Sequence, residues 1–234
     1  MLFLSGDVEL LRGLEVVRRL HVARQQRLHM TQQSPISWTP FYDRVQNGGP
    51  DTWLPKVLAL IDREKRAGAR LFAVDLGCGE GRDTRELLKR GWRVLAVDSE
   101  PEAIERLRKH PDTAPHLDRL STLTASMSEA SLEGASLIYS FLALPYVPKQ
   151  EWTKLWNAIG GAITCGAYFA GNLFGDRHHY AAYEGVNVVS ESVARALFEP
   201  FDVLRFETLE SKGIDASGAK VNNHEFRFVI RAKD

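Results

Sequence analysis

Three glycines alternate with other residues in the stretch "AVDLGCGEGR", residues 73–82, directly after an apolar run. Gly77, Gly79 and Gly81 lack a Cβ, so ligand atoms can approach their main chain and the backbone can adopt positive φ angles. A helix that begins after such a turn presents unpaired N–H groups and about half a positive charge to a ligand. The stretch therefore predicts a loop that binds a nucleotide-like molecule.

Two carboxylates accompany the glycines. Asp75 precedes them, and Asp98 ends the next apolar run, "WRVLAVD", 21 residues after Gly77. A carboxylate at the end of that strand can accept both hydroxyls of a ribose, which predicts an adenosine ligand with a free 2′-OH. Asp75 adds a negative group suited to a cationic head. A nicotinamide dinucleotide loop needs a small residue where Arg82 stands, so this arginine argues against NAD.

Helical stripes and apolar runs alternate from Asp51 onward, as they do in a parallel sheet covered on both faces. Ser99 and Glu102 have the spacing of a capping box, with Pro101 in the first turn, which predicts a helix to about Lys109. The other predicted helices cover 51–68, 83–91, 149–160 and 190–198, and the predicted strands cover 69–76, 92–98, 121–125, 135–142 and 162–170.

The last third of the chain departs from this alternation. Two long strand-like runs, 201–210 and 224–232, are joined by a segment with two glycines and no helical pattern. They predict an antiparallel pair. The predicted fold class is therefore α/β, a doubly wound and mostly parallel sheet that is finished by an antiparallel edge.

The N-terminal segment is predicted to be separate from this sheet. Residues 8–29 place Leu10, Leu14 and Val17 on one helical face, with arginines elsewhere. We interpret residues 1–37 as an amphipathic helical extension and linker, and residues 38–234 as the main domain. The extension is a lid, a dimer arm or a surface appendage, and translation from Met30 would remove most of it.

Composition limits the possible partners. The 30 basic and 30 acidic side chains cancel, which disfavours nucleic acid and anionic membranes and favours a small, roughly neutral partner. Cys78 and Cys165 lack neighbours at metal-ligand spacing, so we expect no metal site and a reducing, cytoplasmic location. The first residues do not form a secretory signal. The longest apolar stretch is about half of the roughly 20 residues that a membrane span needs. We expect a monomer or a homodimer.

From about Trp38 to its C-terminus the chain resembles the class I S-adenosylmethionine-dependent methyltransferases, whose first motif is acidic-x-Gly-x-Gly-x-Gly. The segments "DLGCGEGRDT", "GDRHHYA" and "HEFRFVIRAK" resemble the small-molecule branch that includes tellurite-resistance methyltransferases. The resemblance implies a Rossmann-like sheet of seven strands with an antiparallel final strand. It also implies S-adenosyl-L-methionine as cofactor and a small-molecule methyl acceptor.

The resemblance also implies roles for individual residues. The glycines would lie along the methionine part and ribose, Asp75 near the amino group, and Asp98 on the ribose hydroxyls, with Ser99 beside it. Many relatives carry an acidic residue after the third strand, whereas this chain has Ser126 there and Glu129 only later. The remaining implied cofactor contacts are Ser126 and Met127 at the adenine and Phe141 and Leu142 at the methionyl tail.

Candidates for the acceptor side come from two segments. In "WTPFYDRVQNGG", residues 38–49, aromatic side chains could close over a sulfonium or anchor the segment to the core. Tyr42 is the catalytic candidate there. In residues 171–185, predicted to follow the fifth strand, His178 could act as an acid or base and Arg177 could contact an anionic substrate or pair with a carboxylate. Tyr146 could face the acceptor or serve in packing.

Methyl transfer from a sulfonium is an in-line displacement that chiefly requires positioning, which can contribute about 7–11 kcal/mol. A general base adds roughly 10²–10⁴-fold and is needed only for a protonated acceptor. Together with the glycine loop and its two carboxylates, the resemblance predicts a methyltransferase that acts on small molecules. Two alternatives remain open, a nicotinamide-dependent oxidoreductase and a non-catalytic regulatory protein that binds the cofactor.

Overall fold

The structure is a computed structural model that describes residues 38–45, 48–64, 70–214 and 220–233. The amphipathic helix predicted over 8–29, and with it the proposed extension over 1–37, lies outside the described residues.

The described residues form one mixed sheet of eight strands, in the order β3-β2-β1-β4-β5-β8-β7, with β6 paired to β5. The pairs among β1 to β6 are parallel, whereas β8 is antiparallel to both β5 and β7. The predicted α/β class and mostly parallel order are confirmed. The strands are β1 Phe72–Leu76, β2 Arg93–Asp98, β3 Leu120–Thr124, β4 Leu137–Ser140, β5 Tyr168–Gly175, β6 Val188–Val189, β7 Asp202–Ile214 and β8 Lys220–Arg231.

The predicted antiparallel final strand and antiparallel terminal pair are confirmed. The final strand, β8, lies inside the sheet between β5 and β7. Phe226 and Phe228 on one face of β8 and Val229 on the other are fully buried, so this strand is covered on both sides. The edge is β7, whose side chains are largely half-buried or exposed. The more polar strand of the hairpin therefore takes the position that solvent reaches.

Six α-helices of the described chain connect and cover these strands. The predicted start of the fifth strand was wrong, since residues 162–164 belong to a helix. Leu155, Ile159 and Ile163 share one helical face and are buried, so the helix continues past Gly160. β5 consequently begins later and contains residues 171–175, which were predicted to follow it. The helices are α1 Thr39–Val45, α2 Trp53–Glu64, α3 Arg82–Lys89, α4 Pro101–Lys109, α5 Lys149–Thr164 and α6 Glu191–Phe198.

The start of α4 also differs from its prediction. The helix begins at Pro101 as expected, but its N-cap is Glu100, without a side-chain capping bond. Glu102 accepts instead from Thr39 Oγ1 at 2.6 Å and from Arg106. The predicted capping box of Ser99 and Glu102 is therefore wrong, because the glutamate joins α4 to α1.

Two apolar layers cover the sheet. Val74, Ile138 and Phe169 face a core formed with α5 and α6. Ala73 and Tyr139 face a second core formed with α2 and α3. Because successive strand residues point to opposite faces, the central strands are buried on both sides. The loops beyond the carboxyl ends of β1, β2, β4 and β5 lie at one edge of the sheet, where open α/β sheets bind ligands.

Candidate active site

The loop of residues 77–81 connects β1 to α3 and is fastened to the neighbouring strand. The N–H groups of Gly77 and Cys78 both donate to the carbonyl oxygen of Val97, at 2.8 and 3.0 Å. All three glycines have positive φ angles, 72° at Gly77, 55° at Gly79 and 89° at Gly81. Other residues rarely adopt such angles, so the alternating glycines form the tight turn that the sequence predicts.

The three glycines differ in what surrounds them. A Cβ on Gly77 would lie 2.3 Å from Cβ of Ala143, and one on Gly81 would lie 2.3 Å from Cδ1 of Leu107. Packing alone therefore requires glycine at both positions. A Cβ on Gly79 would meet a single neighbour, Cε1 of Tyr42 at 3.6 Å. The main chain of the loop is open at Gly79.

Asp98 lies directly against this open point. Its Oδ2 accepts from Gly79 N–H at 2.8 Å and its Oδ1 accepts from Glu100 N–H at 2.9 Å. Burial raises the pKa of Asp98, while the backbone donors at Glu100, Gly79 and Ser99 act in the opposite direction. Ser99 itself is exposed. The structure thus places the carboxylate of Asp98 next to the open backbone of Gly79.

Asp75 lies deeper, within β1. The side chain is 3% exposed, and its Oδ2 accepts from Thr84 Oγ1 at 2.5 Å. Burial, followed by the charges of Asp83 and Asp98, raises the pKa of Asp75 to about 7, although the Thr84 bond opposes this rise. A cationic group nearby would favour the ionised carboxylate. The site can therefore accommodate an ammonium group better than an anion.

The two predicted adenine contacts, Ser126 and Met127, lie in the turn after β3 and have different surroundings. Ser126 caps the 3₁₀ turn of residues 127–129, and its hydroxyl bonds to the carboxylate of Glu151 on α5. Glu129 accepts from Ser126 N–H at 3.2 Å and completes a capping box. Met127 reaches the glycine loop, since its Cε is 2.8 Å from the Cβ position at Gly77. The structure therefore brings Met127 to the loop and turns Ser126 toward α5.

The exit of β4 contains an unusual backbone conformation. Leu142 has φ 56°, the one positive φ among the described residues other than glycine. Its N–H donates to Oδ1 of Asn172 on β5 at 2.7 Å. Phe141, the preceding residue, lies under the guanidinium of Arg227, 5.0 Å from its ring centroid. Sequence reasoning missed Asn172, although an amide inside an apolar run was a signal that could have found it.

Tyr42 covers the glycine loop from α1. The side chain is 3% exposed, and Arg106 lies 5.8 Å from its ring centroid. Burial raises the pKa of Tyr42, and the charges of Asp98 and Glu100 raise it further. The phenol is therefore protonated and cannot act as a base at neutral pH.

Aromatic rings continue from α1 to the exit of β5. Trp38 contacts Tyr146, with centroids 4.8 Å apart, and Tyr146 contacts Phe174 at 5.9 Å. His178 stacks on Phe174 at 3.8 Å, with 6° between the ring planes. We call Trp38, Tyr146, Phe174 and His178 the aromatic row. Tyr146, the predicted acceptor contact, is half-buried in it.

His178 has one ring nitrogen engaged. Its Nδ1 accepts from Tyr180 N–H at 3.1 Å. Burial, with the neighbouring His179 and His224, lowers the pKa of His178 to about 4. The ring is therefore neutral at physiological pH, and the proton must reside on Nε2. This tautomer offers an N–H donor, which suits a substrate contact better than a general base.

Arg177 is directed toward the β7–β8 hairpin. Its guanidinium pairs with the carboxylate of Glu210, lies 3.7 Å from Asp176, and contacts Nε2 of His224 at 3.1 Å. The structure does not place this side chain in the aromatic row.

A separate cleft of 830 Å³ lies beside α3 and α4. Its charged groups pair with one another, as Glu80 does with Arg85 at 2.7 Å and Lys89 with Asp112 at 2.7 Å. None of the predicted site residues lines this cleft. The candidate site that we consider is the edge formed by Gly79, Asp98 and the aromatic row.

Similarity to known proteins bears on the part of the chain that contains Gly79 and Asp98. Residues 73–166 match the family described as a methyltransferase domain. This match includes the glycine loop and Asp98 and indicates a methyltransferase domain in this part of the chain. The predicted enzyme class and its cofactor, S-adenosyl-L-methionine, are confirmed. The matches give no support to the nicotinamide or non-catalytic alternatives.

A curated relative and two solved structures are similar over most of the chain. The carboxy-S-adenosyl-L-methionine synthase of Erwinia tasmaniensis is 28% identical over 178 residues, 68% of this chain and 72% of the relative. TehB from Haemophilus influenzae superimposes with a TM-score of 0.63 at 15% identity, over 76% of this chain and 62% of TehB. This chain thus spans less than two thirds of TehB.

The second structure is the 1,6-didemethyltoxoflavin-N1-methyltransferase of Burkholderia thailandensis, which was solved with 1,6-didemethyltoxoflavin and S-adenosylhomocysteine. It superimposes with a TM-score of 0.54 at 17% identity, over 87% of this chain and 94% of that one. At these identities both structural likenesses concern the fold.

Two further findings bear on the sequence expectations. The described part of the chain contains no helix with the length and apolarity to cross a membrane. Within the same residues, no group of three or more histidine, cysteine, aspartate or glutamate side chains could hold a metal ion.

Proposed function

We propose that this domain transfers the methyl group of S-adenosylmethionine to a small-molecule acceptor that binds against the aromatic row. The observation that carries the proposal is the hydrogen bond from Gly79 to Asp98, at the one glycine of the loop whose backbone is open. A carboxylate can accept hydrogen bonds from the ribose hydroxyls, and a main chain without a Cβ leaves room for the adjoining methionyl chain. The cofactor would supply a methyl group on a sulfonium, already activated for displacement.

Different residues of this chain would bind different parts of the cofactor. Asp98, with Ser99 beside it, would accept from the ribose hydroxyls, and Asp75 would neutralise the amino group. Met127 and Ser126 would border the adenine, and Phe141 and Leu142 the methionyl tail. The loop glycines would allow the backbone to approach, with Gly79 the one in direct contact.

Positioning would provide most of the rate in this site. Tyr42 closes over Gly79, and the aromatic row offers flat apolar surfaces that would orient a planar or cationic acceptor. His178 would donate from Nε2 to an acceptor atom, and Tyr146 would pack against the acceptor. We assign no general base, because the described candidates Tyr42 and His178 both lack a free basic form. The acceptor would therefore react without deprotonation, as soft or anionic nucleophiles do.

The match to a carboxy-S-adenosyl-L-methionine synthase favours a second candidate, modification of the cofactor itself. A carboxylate added to the cofactor would need a cationic partner in the site. Arg177, the arginine we had predicted as a substrate contact, is occupied by Glu210 and Asp176. Arg227, whose guanidinium lies over Phe141, is likewise paired, with Glu225, and the two pairings favour methyl transfer over the second candidate.

We propose that residues 38–234 form the working domain and that residues 1–37 are an extension. The thiols of Cys78 and Cys165 are free, which supports a reducing compartment such as the cytoplasm. The protein would act as a monomer or homodimer.

Calorimetric titration with S-adenosylmethionine, S-adenosylhomocysteine and NAD tests the binding half of the proposal. We expect the two adenosyl ligands to bind and NAD to fail. Release of S-adenosylhomocysteine in a screen of small nucleophiles tests the transfer half. Mass spectrometry of the ligand that co-purifies with the protein distinguishes the second candidate, because carboxylated cofactor would be found. The Asp98→Asn variant serves as the negative control in each assay.

A further inference from the structure

We propose that Asn172 is a positioning residue of the cofactor site, which holds Leu142 in its left-handed conformation, and that Glu225 fixes the orientation of Asn172. The inference rests on the proposed function, since Leu142 borders the cofactor only in that proposal. It concerns two side chains, on β5 and β8, to which the sequence assigned no role.

The backbone of Leu142 adopts a left-handed conformation. A leucine at φ 56° is strained, and such strain persists only where the surroundings impose it. The N–H of Leu142 donates to Asn172 Oδ1 at 2.7 Å, across 30 residues of chain. Asn172 is fully buried, so water cannot replace this bond. The amide oxygen therefore holds the peptide that leads into Leu142.

The second step is the orientation of the amide. Asn172 could present either oxygen or nitrogen to Leu142, but only oxygen can accept the N–H. Its Nδ2 donates to Oε2 of Glu225 at 3.1 Å. A carboxylate accepts without donating, so it holds the nitrogen side of the amide and turns the oxygen toward Leu142.

The third step is the charge of Glu225. This side chain is 5% exposed, and burial raises its pKa, while Arg227 and Asn172 act in the opposite direction. Arg227 Nε bonds to Oε2 of Glu225 at 3.2 Å, and the same guanidinium lies over Phe141. The pairing supplies the compensation that a buried carboxylate needs.

Strand register brings these groups together. Asn172 pairs with Arg227 and Phe174 pairs with Glu225 in the antiparallel ladder of β5 and β8. Residues at alternate positions of a strand share a face, so Asn172, Glu225 and Arg227 point to the same side of the sheet. The interior position of β8 is therefore what supplies the acid to β5.

The test measures S-adenosylhomocysteine affinity by calorimetry, which requires no known acceptor. We expect Asn172→Ala to weaken binding about tenfold, the effect of one lost hydrogen bond at a ligand-bearing loop. Leu142→Gly removes the side chain that borders the cofactor in the proposed function, so its own affinity is the reference for the double variant, and its backbone adopts positive φ without strain. In the Leu142→Gly background, Asn172→Ala should cost less than about threefold, because the conformation no longer needs to be imposed.

Glu225→Gln provides a second variant if Asn172→Ala does not fold. Glutamine can donate as well as accept, so it allows the Asn172 amide to reverse, and we expect weaker binding that Leu142→Gly again relieves. Asn187→Ala is the matched control, since its amide donates to the carbonyl oxygens of Pro145 and Val147 and not to Leu142. It should leave the affinity unchanged.

Thermal denaturation separates positioning from stability. A merely structural role would lower the melting temperature and leave the affinity of the folded protein intact. Unchanged affinity in folded Asn172→Ala, or equal losses with and without Leu142→Gly, overturns the inference while the proposed function stands. Failure of the wild-type protein to bind S-adenosylhomocysteine overturns the proposed function as well.

Discussion

The backbone N–H of Gly79 donates to Oδ2 of Asp98 across 2.8 Å, although 19 residues of chain separate the two. The bond joins the loop after β1 to the end of β2. It holds the acid beside the one glycine of the loop that packing leaves open.

Asp98→Ala should weaken S-adenosylhomocysteine binding by about 1.5–3 kcal/mol, the range for hydrogen bonds to a charged group. The carboxylate also holds the N–H groups of Gly79 and Glu100, so some loss of thermal stability should accompany the change. Calorimetry and thermal denaturation measure both effects. Asp112→Ala, at an exposed acid paired with Lys89, is the matched control, and unchanged affinity in Asp98→Ala would contradict the ribose assignment.

Substitution of the glycines should separate binding from folding. Gly79→Val should abolish cofactor binding, because its side chain enters the open space, with a stability loss from the positive φ alone. Gly81→Ala should chiefly destabilise the protein, by about 1–3 kcal/mol or more, because its Cβ collides with Leu107. Denaturant unfolding and calorimetry compare the two. Cofactor binding retained in Gly79→Val would exclude the loop from the site.

Asp75 should make the stability of the unliganded protein depend on pH. Its pKa is raised to about 7 from 3.8, so the folded state binds a proton that the unfolded chain has lost between these values. Stability should therefore fall as pH rises through this window. Asp75→Asn should gain stability relative to wild type over the same range, measured by urea unfolding. Parallel pH profiles of the two proteins would show that the buried carboxylate does not titrate there.

His178 should titrate well below the range of an unperturbed imidazole. Its pKa is lowered to about 4, so it should remain neutral through the range in which an unperturbed ring gains its proton. Stability that depends on neutral His178 should be fully present above about 6.5 and decline as pH falls toward 4. NMR titration of the imidazole Cε1–H signals measures the pKa, with His178→Asn to assign the signal. A midpoint near 6.5 would show that burial does not disfavour the protonated ring.

Patterns of neighbouring residues were enough to predict much of the fold. The alternation of apolar runs and helical stripes identifies the α/β class, and β1, α3 and β2 lie where their patterns placed them. The error at residues 162–164 shows the limit of such patterns. Ile163 suits a buried strand and the buried stripe of α5 equally well, and only its packing with Leu155 and Ile159 decides between them.

The sequence by itself determined the turn and its acids, because the φ preference of glycine and the end of a strand depend on a few adjacent residues. It also contained the aromatic residues of the aromatic row, without their order. Only the tertiary structure decided that Gly79 is the open glycine, that Arg177 faces Glu210, and that Asn172 and Glu225 hold Leu142. These relations join residues far apart in the chain, and they exist because strand order and register place β8 beside β5 and β5 beside β4.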